Sequence, residues 1–254
     1  MPELSVFDCL LLGWILVAAL TFVALRHVRA AYGRYAAESK APRIPAWVGW
    51  VIMESVSLVA VAAFFFTGDR TRQLPALLLF ALWEAHYVHR SWIYPLRANA
   101  PNRTIPVSIV AMAMVFNLVN ASANGYWLFW AGPERPLSWL ADPRFLVGVL
   151  LFLGGMAVNL SSDYRLLGLR RSGGARYQIP PARGLFRWVS CPNYLGEIVE
   201  WCGWALATWS LAGLSFAAWT VANLVPRALA HHRWYRATFP EYPAARKALI
   251  PFLL

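Results

Sequence analysis

The 254-residue chain has little charge, 14% of residues against 59% hydrophobic, and its mean hydropathy is +0.47. That balance excludes an ordinary soluble domain of this size, and no hydrophilic stretch is long enough to fold as a separate domain. Lysine is nearly missing: Lys40 and Lys247 are the only two among 23 basic residues, a skew that fits a GC-rich, bacterial coding bias. The three cysteines, Cys9, Cys191 and Cys202, have neither metal-site nor redox spacing and read as packing residues. Five histidines fall short of the set that a membrane di-iron hydroxylase needs, so no metal is expected. Neither Gly-x-Gly-x-x-Gly nor a P-loop occurs, so a nucleotide would have to be held by helices. Repeats of fixed period, low-complexity tracts and heptad seams are also missing.

What is present is a series of apolar runs near the roughly 20 residues that cross a bilayer. They extend from Ser5 to Leu25, Trp47 to Thr67, Leu74 to Trp92, Ile105 to Ala123, Phe145 to Ser161, Leu195 to Trp209 and Gly213 to Pro226. The first has no basic residue before it and no small-residue cleavage site after it, so it reads as a retained span. The last two are short, joined by a turn at Ser210-Leu211-Ala212, and their helices are expected to run on into the flanking polar residues. Net charge is +11, but the basic residues lie between apolar runs, which speaks for topology and against nucleic acid. With the N-terminus outside, only Arg70, Arg72, Arg135 and Arg144 fall on the outer side and the other 19 of the 23 basic residues lie inside. The expected fold is therefore all-α and integral to the membrane. It is one domain, residues 1–254, a seven-transmembrane-helix bundle with N-terminus outside and C-terminus cytosolic. The long connection Gly168 to Asn193, with Gly173-Gly174, Pro180-Pro181 and Gly184, is the expected flexible element over a site.

Ionisable groups inside spans are costly and mark function by default. Glu54 stands in the second apolar run with Ser57 three residues on. A carboxyl in such surroundings is expected to keep its proton and act as a hydrogen-bond donor; the alternative is a structural bond between helices. The third run ends in Glu84-Ala-His86-Tyr87-Val-His89-Arg90, where Tyr87 reads either as a phenol donor or as an interfacial anchor. Asn159, Asp163, Leu166 and Arg170 share one helix face, Asn193, Glu197 and Glu200 repeat that spacing, and Arg227, His231 and Tyr235 do so again. All three stripes fall at the inner ends of their spans. One stripe would be a solvated helix end; three mixing acids, amides, Arg, His and Tyr predict one cytosol-facing pocket for a polar ligand. Its arginines suit phosphate, and a dinucleotide with a 2′-phosphate would fit. Asn-x-Ser/Thr matches at Asn102, Asn120 and Asn159 are discounted, since two of them lie inside apolar runs.

Several segments resemble the steroid 5α-reductases. They are Asn159-Leu-Ser-Ser-Asp163-Tyr164, Tyr177-Gln-Ile-Pro180, Gly184-Leu-Phe186 and Cys191-Pro-Asn193-Tyr-Leu-Gly196-Glu197-Ile-Val-Glu200-Trp201. Ala205 to Leu211, His231-His-Arg-Trp-Tyr235, Phe239-Pro-Glu-Tyr242-Pro and Arg246 to Phe252 complete the set. The likeness is dense from about Phe145 to the end and includes Glu54 and His86 to Arg90 earlier. It implies a seven-helix membrane enzyme that reduces the C4–C5 double bond of a 3-oxo-Δ4 steroid, or a similar enone lipid, with NADPH; a monomer is expected, with the oligomeric state left open by the sequence. By the same resemblance Asn159, Asp163, Arg170, Tyr177, Asn193, Glu197, Arg227, His231 and Tyr235 line the NADPH pocket, and Glu54 and Tyr87 hydrogen-bond the 3-ketone. The family's Asn/Arg-rich turn after the third helix is replaced here by Pro95 to Arg103. For a bacterial chain the location implied is the inner membrane.

The chemistry of the residues agrees: hydride attack at the β-carbon of an enone drives charge onto the carbonyl oxygen, and an acid and a phenol are suitable donors there. The alternative is a membrane methyltransferase using S-adenosylmethionine on isoprenylated thiols or small lipids, which has no evident need for Glu54. A non-catalytic lipid or sterol sensor would leave the three stripes unexplained.

Overall fold

The computed structural model describes residues 4–28, 42–71, 73–98, 103–171 and 178–254. Each of the seven apolar runs coincides with one long helix: α1 (Val6–His27), α2 (Ala46–Thr67), α3 (Leu74–Val88), α5 (Val107–Tyr126), α6 (Pro143–Arg171), α7 (Pro192–Thr208) and α8 (Leu211–Thr238). A short helix, α4 (Tyr94–Arg97), follows α3 through a π-helical stretch, His89–Ile93, and α5 runs on through another, Trp127–Ala131. Among the described residues four helical stretches are long and apolar enough to cross a membrane: Val6–His27, Ala46–Thr67, Val107–Ala131 and Pro143–Arg170. Their large side chains face outward, with Leu10 67%, Leu20 62% and Leu150 70% exposed, the arrangement a lipid solvent favours. The helices do run on into polar flanks: α6 continues to Arg171, α7 starts three residues before Leu195, and α8 carries its helix through Pro226 to Thr238.

Local chemistry sets the ends. Ser5 and Asp8 cap α1 reciprocally, Ser5 Oγ accepting from Asp8 N at 3.1 Å and Asp8 Oδ2 from Ser5 N at 3.2 Å. Trp209 closes α7 in the left-handed region (φ 43°), and Ser210 then accepts from Gly213 N at 2.9 Å to open α8, which makes the expected tight turn. Two three-residue strands, β1 (Arg43–Pro45) and β2 (Thr104–Pro106), pair antiparallel directly before α2 and α5. Both end in Ile-Pro, where proline holds the preceding residue extended, and Arg43 Nε donates to Thr104 Oγ1 at 2.8 Å. These strands are absent from the sequence reading because three residues carry no usable period.

The chain forms two compact units, residues 1–28 with 146–254 and residues 29–145. In the second, α2 and α5 run parallel: Gly49 lies against Ile105 and Val110, Asn117 Nδ2 donates to Met53 O at 2.7 Å, and Phe64 packs on Gly125. Between them in sequence, α3 runs antiparallel to α2, with Phe80 stacked on Phe65 at 4.0 Å, Trp83 Nε1 donating to Ser57 O at 3.3 Å and Trp92 Nε1 to Ser55 Oγ at 3.1 Å.

In the first unit, α6, α7 and α8 alternate in direction. Phe152 meets Trp201 and Trp204, and Trp201 meets Phe216 at 4.0 Å. Distant in sequence, α1 joins α8, with Trp14 and Trp219 at 4.6 Å. The tail is tied in by backbone bonds from Ser190 N to Lys247 O and from Cys191 N to Ala248 O.

Candidate functional site

The first unit brings the three polar stripes together, and glycine makes this possible. A Cβ on Gly196 would stand 2.5 Å from Asn159 N, and one on Gly155 2.5 Å from Gly196 O. The α6 and α7 backbones therefore touch where no side chain could intervene. At that crossing Asn159 Nδ2 donates to Asn193 O at 3.0 Å and to Glu197 Oε2 at 3.3 Å. Asn193 Nδ2 in turn donates to Asp163 Oδ1 at 3.0 Å. Asn159 and Asp163 are buried, and Asn193 and Glu197 half-buried.

The α8 stripe joins through a residue the sequence reading did not single out. Tyr194 OH lies 3.3 Å from His231 Nε2, and the Arg227 guanidinium sits 5.8 Å from the Tyr194 ring centre. A Tyr one residue after Asn193 gives no sign of this by spacing; only the approach of α8 reveals it. The assembled set offers amide donors, carboxylate acceptors, an imidazole and a guanidinium, a donor set that fits the hydroxyls, amide and phosphates of a dinucleotide.

Two further members of the predicted pocket sit differently. Tyr235 is buried in an aromatic stack with Tyr242 at 5.2 Å and Phe239 at 6.1 Å, and Arg170 is exposed near the end of α6. Tyr177 lies outside the described residues. At the end of α6 a recess of about 330 Å³ is bordered by Arg165, Leu169, Arg183, Pro180 and Phe186. Arg165 Nη1 donates to Arg183 O at 3.0 Å and lies 2.6 Å from where a Gly184 Cβ would stand, at φ +57°. The connection the sequence marked as a site cover thus has its only described left-handed glycine at this wall.

Behind this surface lies a polar node with no local sequence signal. Ser190 Oγ is 2.7 Å from His232 Nδ1, 2.7 Å from Tyr242 OH and 3.0 Å from Lys247 O. One hydroxyl has one proton and two acceptor sites. All three bonds are satisfied together only if Ser190 donates to Lys247 O and accepts from Tyr242 O–H and His232 Nδ1–H. Burial, with Arg236 and Lys247 adding to it, holds the His232 pKa below its ordinary value, so the ring is neutral at pH 7.

The second unit carries Glu54 and Tyr87. Glu54 is half-buried on α2, with Asn117 Nδ2 3.5 Å from its Oε2. Tyr87 is buried, packed on Trp83 at 5.0 Å and His86 at 4.9 Å. The antiparallel register of α3 on α2, read from the Trp83–Ser57 and Trp92–Ser55 bonds, places Tyr87 at the level of Glu54. Among the described residues no three His, Cys, Asp or Glu side chains gather as metal ligands.

Comparison with known proteins bears on the whole chain. The family described as 3-oxo-5-alpha-steroid 4-dehydrogenase matches residues 103–254. The chain is 42% identical over 234 residues to 3-oxo-5-alpha-steroid 4-dehydrogenase 1 of Macaca fascicularis, covering 90% of this chain and 86% of that one. It is 42% identical over 250 residues to 3-oxo-5-alpha-steroid 4-dehydrogenase 2 of Sus scrofa, with 96% of each covered. To the steroid 5-alpha-reductase of Arabidopsis thaliana it is 39% identical over 254 residues, with 97% and 96% covered.

Proposed function

The chain belongs to the 3-oxo-5-alpha-steroid 4-dehydrogenase family, and from that premise we propose that it reduces the C4–C5 double bond of a 3-oxo-Δ4 steroid or a similar enone lipid, with NADPH as reductant. The observation that carries the reading is the meeting of the α6, α7 and α8 stripes at Asn159, Asp163, Asn193, Glu197, Arg227 and His231 in one unit. These residues would hold NADPH, with Arg170, Tyr177 and Tyr235 completing the set, and the bound cofactor would supply the hydride. The carboxylates would accept from ribose hydroxyls, the Asn amides would orient polar edges, and Arg227 would supply charge for phosphate.

Glu54 and Tyr87 act on the substrate. As hydride reaches the β-carbon, the double-bond electrons move toward the carbonyl and negative charge grows on the 3-oxygen. Two donors already in place, an acid and a phenol, stabilise that charge without reorganisation. The apolar helix faces accept the sterol skeleton from lipid.

The reading includes seven spans in a monomer, N-terminus outside, with residues 1–254 working as one reductase domain. Seven helices at the seven apolar runs, their alternating directions within each unit and the one-sided arginines support it. The scarcity of lysine against arginine fits a bacterial source, for which the membrane would be the inner one. An S-adenosylmethionine-dependent transferase would leave the Glu54 and Tyr87 level without a task.

The test is NADPH oxidation by the purified protein with a 3-oxo-Δ4 steroid. Glu54→Gln and Tyr87→Phe are expected to lower kcat by at least 100-fold with NADPH affinity nearly unchanged, and Arg227→Ala to weaken NADPH. Methylation of a lipid thiol, with no enone consuming NADPH, would overturn the reading.

A further inference from the structure

Hydroxyls in the apolar helices of this chain return their proton to their own backbone. Thr21 donates to Val17 O at 2.8 Å, Thr67 to Ala63 O at 2.7 Å, Thr208 to Trp204 O at 2.8 Å, Ser215 to Ala212 O at 2.8 Å and Thr220 to Phe216 O at 2.9 Å. That is the ordinary solution where no water competes. Ser57 departs from it, as does Ser91 in the π-helical stretch after α3. Ser57 is fully buried at 0% exposure, and its Oγ has no hydrogen-bond partner among the described residues.

The facing helix departs at the same height. On α5 Asn117 donates to Met53 O and Asn124 Nδ2 to Asn120 O. Asn120 between them, also 0% exposed, leaves both Oδ1 and Nδ2 without a partner among the described residues. Because α2 and α5 run parallel, residues 61 to 64 apart stand opposite each other, as Gly49 does Val110, Met53 does Asn117 and Phe64 does Gly125. Ser57 therefore stands opposite Asn120, one turn along from Glu54 and Asn117. Three unpaired polar atoms at one level of a helix seam cost several kcal/mol in hydrocarbon. Two donors and two acceptors at one point are what an ordered water needs, two to four partners in a polar niche.

Resting on the role proposed for Glu54, we infer that the α2–α5 seam binds water on Ser57 and Asn120, and that this water with the Asn117 amide orients the Glu54 carboxyl and returns its proton. Asn117 Nδ2 points at Oε2, so that oxygen accepts and Oε1 carries the proton, ready to donate to a ketone. Each reduction forms one C–H bond from hydride at the β-carbon and one from a proton at the α-carbon, as the double-bond pair passes through the enolate. Glu54 gives its proton to the 3-oxygen, making the enol; the enol tautomerises with transfer of that proton to the α-carbon, and the carboxylate left behind takes its replacement proton from solvent through the seam water. Asn117, Asn120 and Ser57 are positioning residues; none is required to touch substrate.

The test is hydrogen–deuterium exchange at the Glu54 carboxyl, read as the infrared C=O band that disappears in Glu54→Gln. In the full-length protein this band is expected to shift within the mixing time in D2O. In Asn120→Leu and in Ser57→Ala exchange is expected to slow at least 10-fold, and the solvent isotope effect on kcat to rise while KM for the enone stays unchanged. Exchange as fast as the parent's in both variants overturns the inference, and so does a band that is only carboxylate. A higher melting temperature in both variants also overturns it, because removing truly orphaned atoms relieves a cost that bound water would already have removed. Failure of the parent to reduce any enone overturns the reductase reading instead, while the band exchange still decides the seam.

Discussion

Replacing Gly196 by Ala tests whether backbone contact of α6 and α7 builds the polar crossing. The new Cβ would lie 2.5 Å from Asn159 N and 2.6 Å from Gly155 O, against 3.4 Å for ordinary contact, and both obstacles are backbone. The helices must separate by about 0.9 Å. Bonds of 3.0, 3.3 and 3.0 Å at the crossing, Asn159 to Asn193, Asn159 to Glu197 and Asn193 to Asp163, would then pass beyond hydrogen-bond range. Losing three at roughly 1 kcal/mol each, with overpacking strain of at least about 1 kcal/mol, gives a destabilisation of about 4 kcal/mol. For a protein of this size that lowers Tm by roughly 8 to 16 °C. Gly154→Ala, on the facing helix α6, is the control, since its Cβ would meet nothing within 4 Å. There Ala is expected to match or slightly raise Tm. Thermal unfolding in detergent, followed by tryptophan fluorescence, measures both, and an NADPH titration should show affinity falling with Gly196→Ala alone. A Gly196→Ala protein melting within 2 °C of Gly154→Ala would refute the argument.

The node at Ser190 gives a stability prediction: Ser190→Ala should lower Tm by several degrees, since the buried Tyr242 hydroxyl loses its acceptor at about 1 to 3 kcal/mol and the half-buried His232 loses its own as well, and should expose the chain after Phe239 to limited proteolysis. His232 titrates lower in the folded protein than its ordinary 6.5. The unfolded chain therefore binds more protons below that pH, and stability should fall as pH drops through 6.5 toward the folded value. His232→Gln should flatten that slope in melts between pH 7.5 and 5. Arg43→Ala removes an exposed bond to Thr104 and should change Tm by no more than about 2 °C.

The helices were legible because a bilayer demands long apolar runs, and helix faces at 3.6-residue spacing carried Asn159 with Asp163, and Asn193 with Glu197, to the crossing where they bond. Other features have no local signature. Ser190, His232 and Tyr242 are tens of residues apart and meet only after α7, α8 and the tail pack. Asn117 and Asn120 sit in a run so apolar that they read as incidental, and Asn120 stood out only as a discounted glycosylation match. Ser57 was visible beside Glu54, but nothing in sequence tells a hydroxyl that bonds its own helix from one that does not. The division into two units was equally hidden, since α1 is separated from α8 by most of the chain.

That separation sets an order of manufacture. The unit of residues 29–145 is continuous and can close as soon as its last helix leaves the ribosome. By contrast α1 packs against α8, whose first residue follows about 184 positions after the end of α1. At 5 to 20 residues per second α1 waits roughly 10 to 40 s for its neighbour. During that interval Trp14 is an unmatched surface in the lipid, available to insertion chaperones, and a transcript cut before Trp219 would leave that wait without an end.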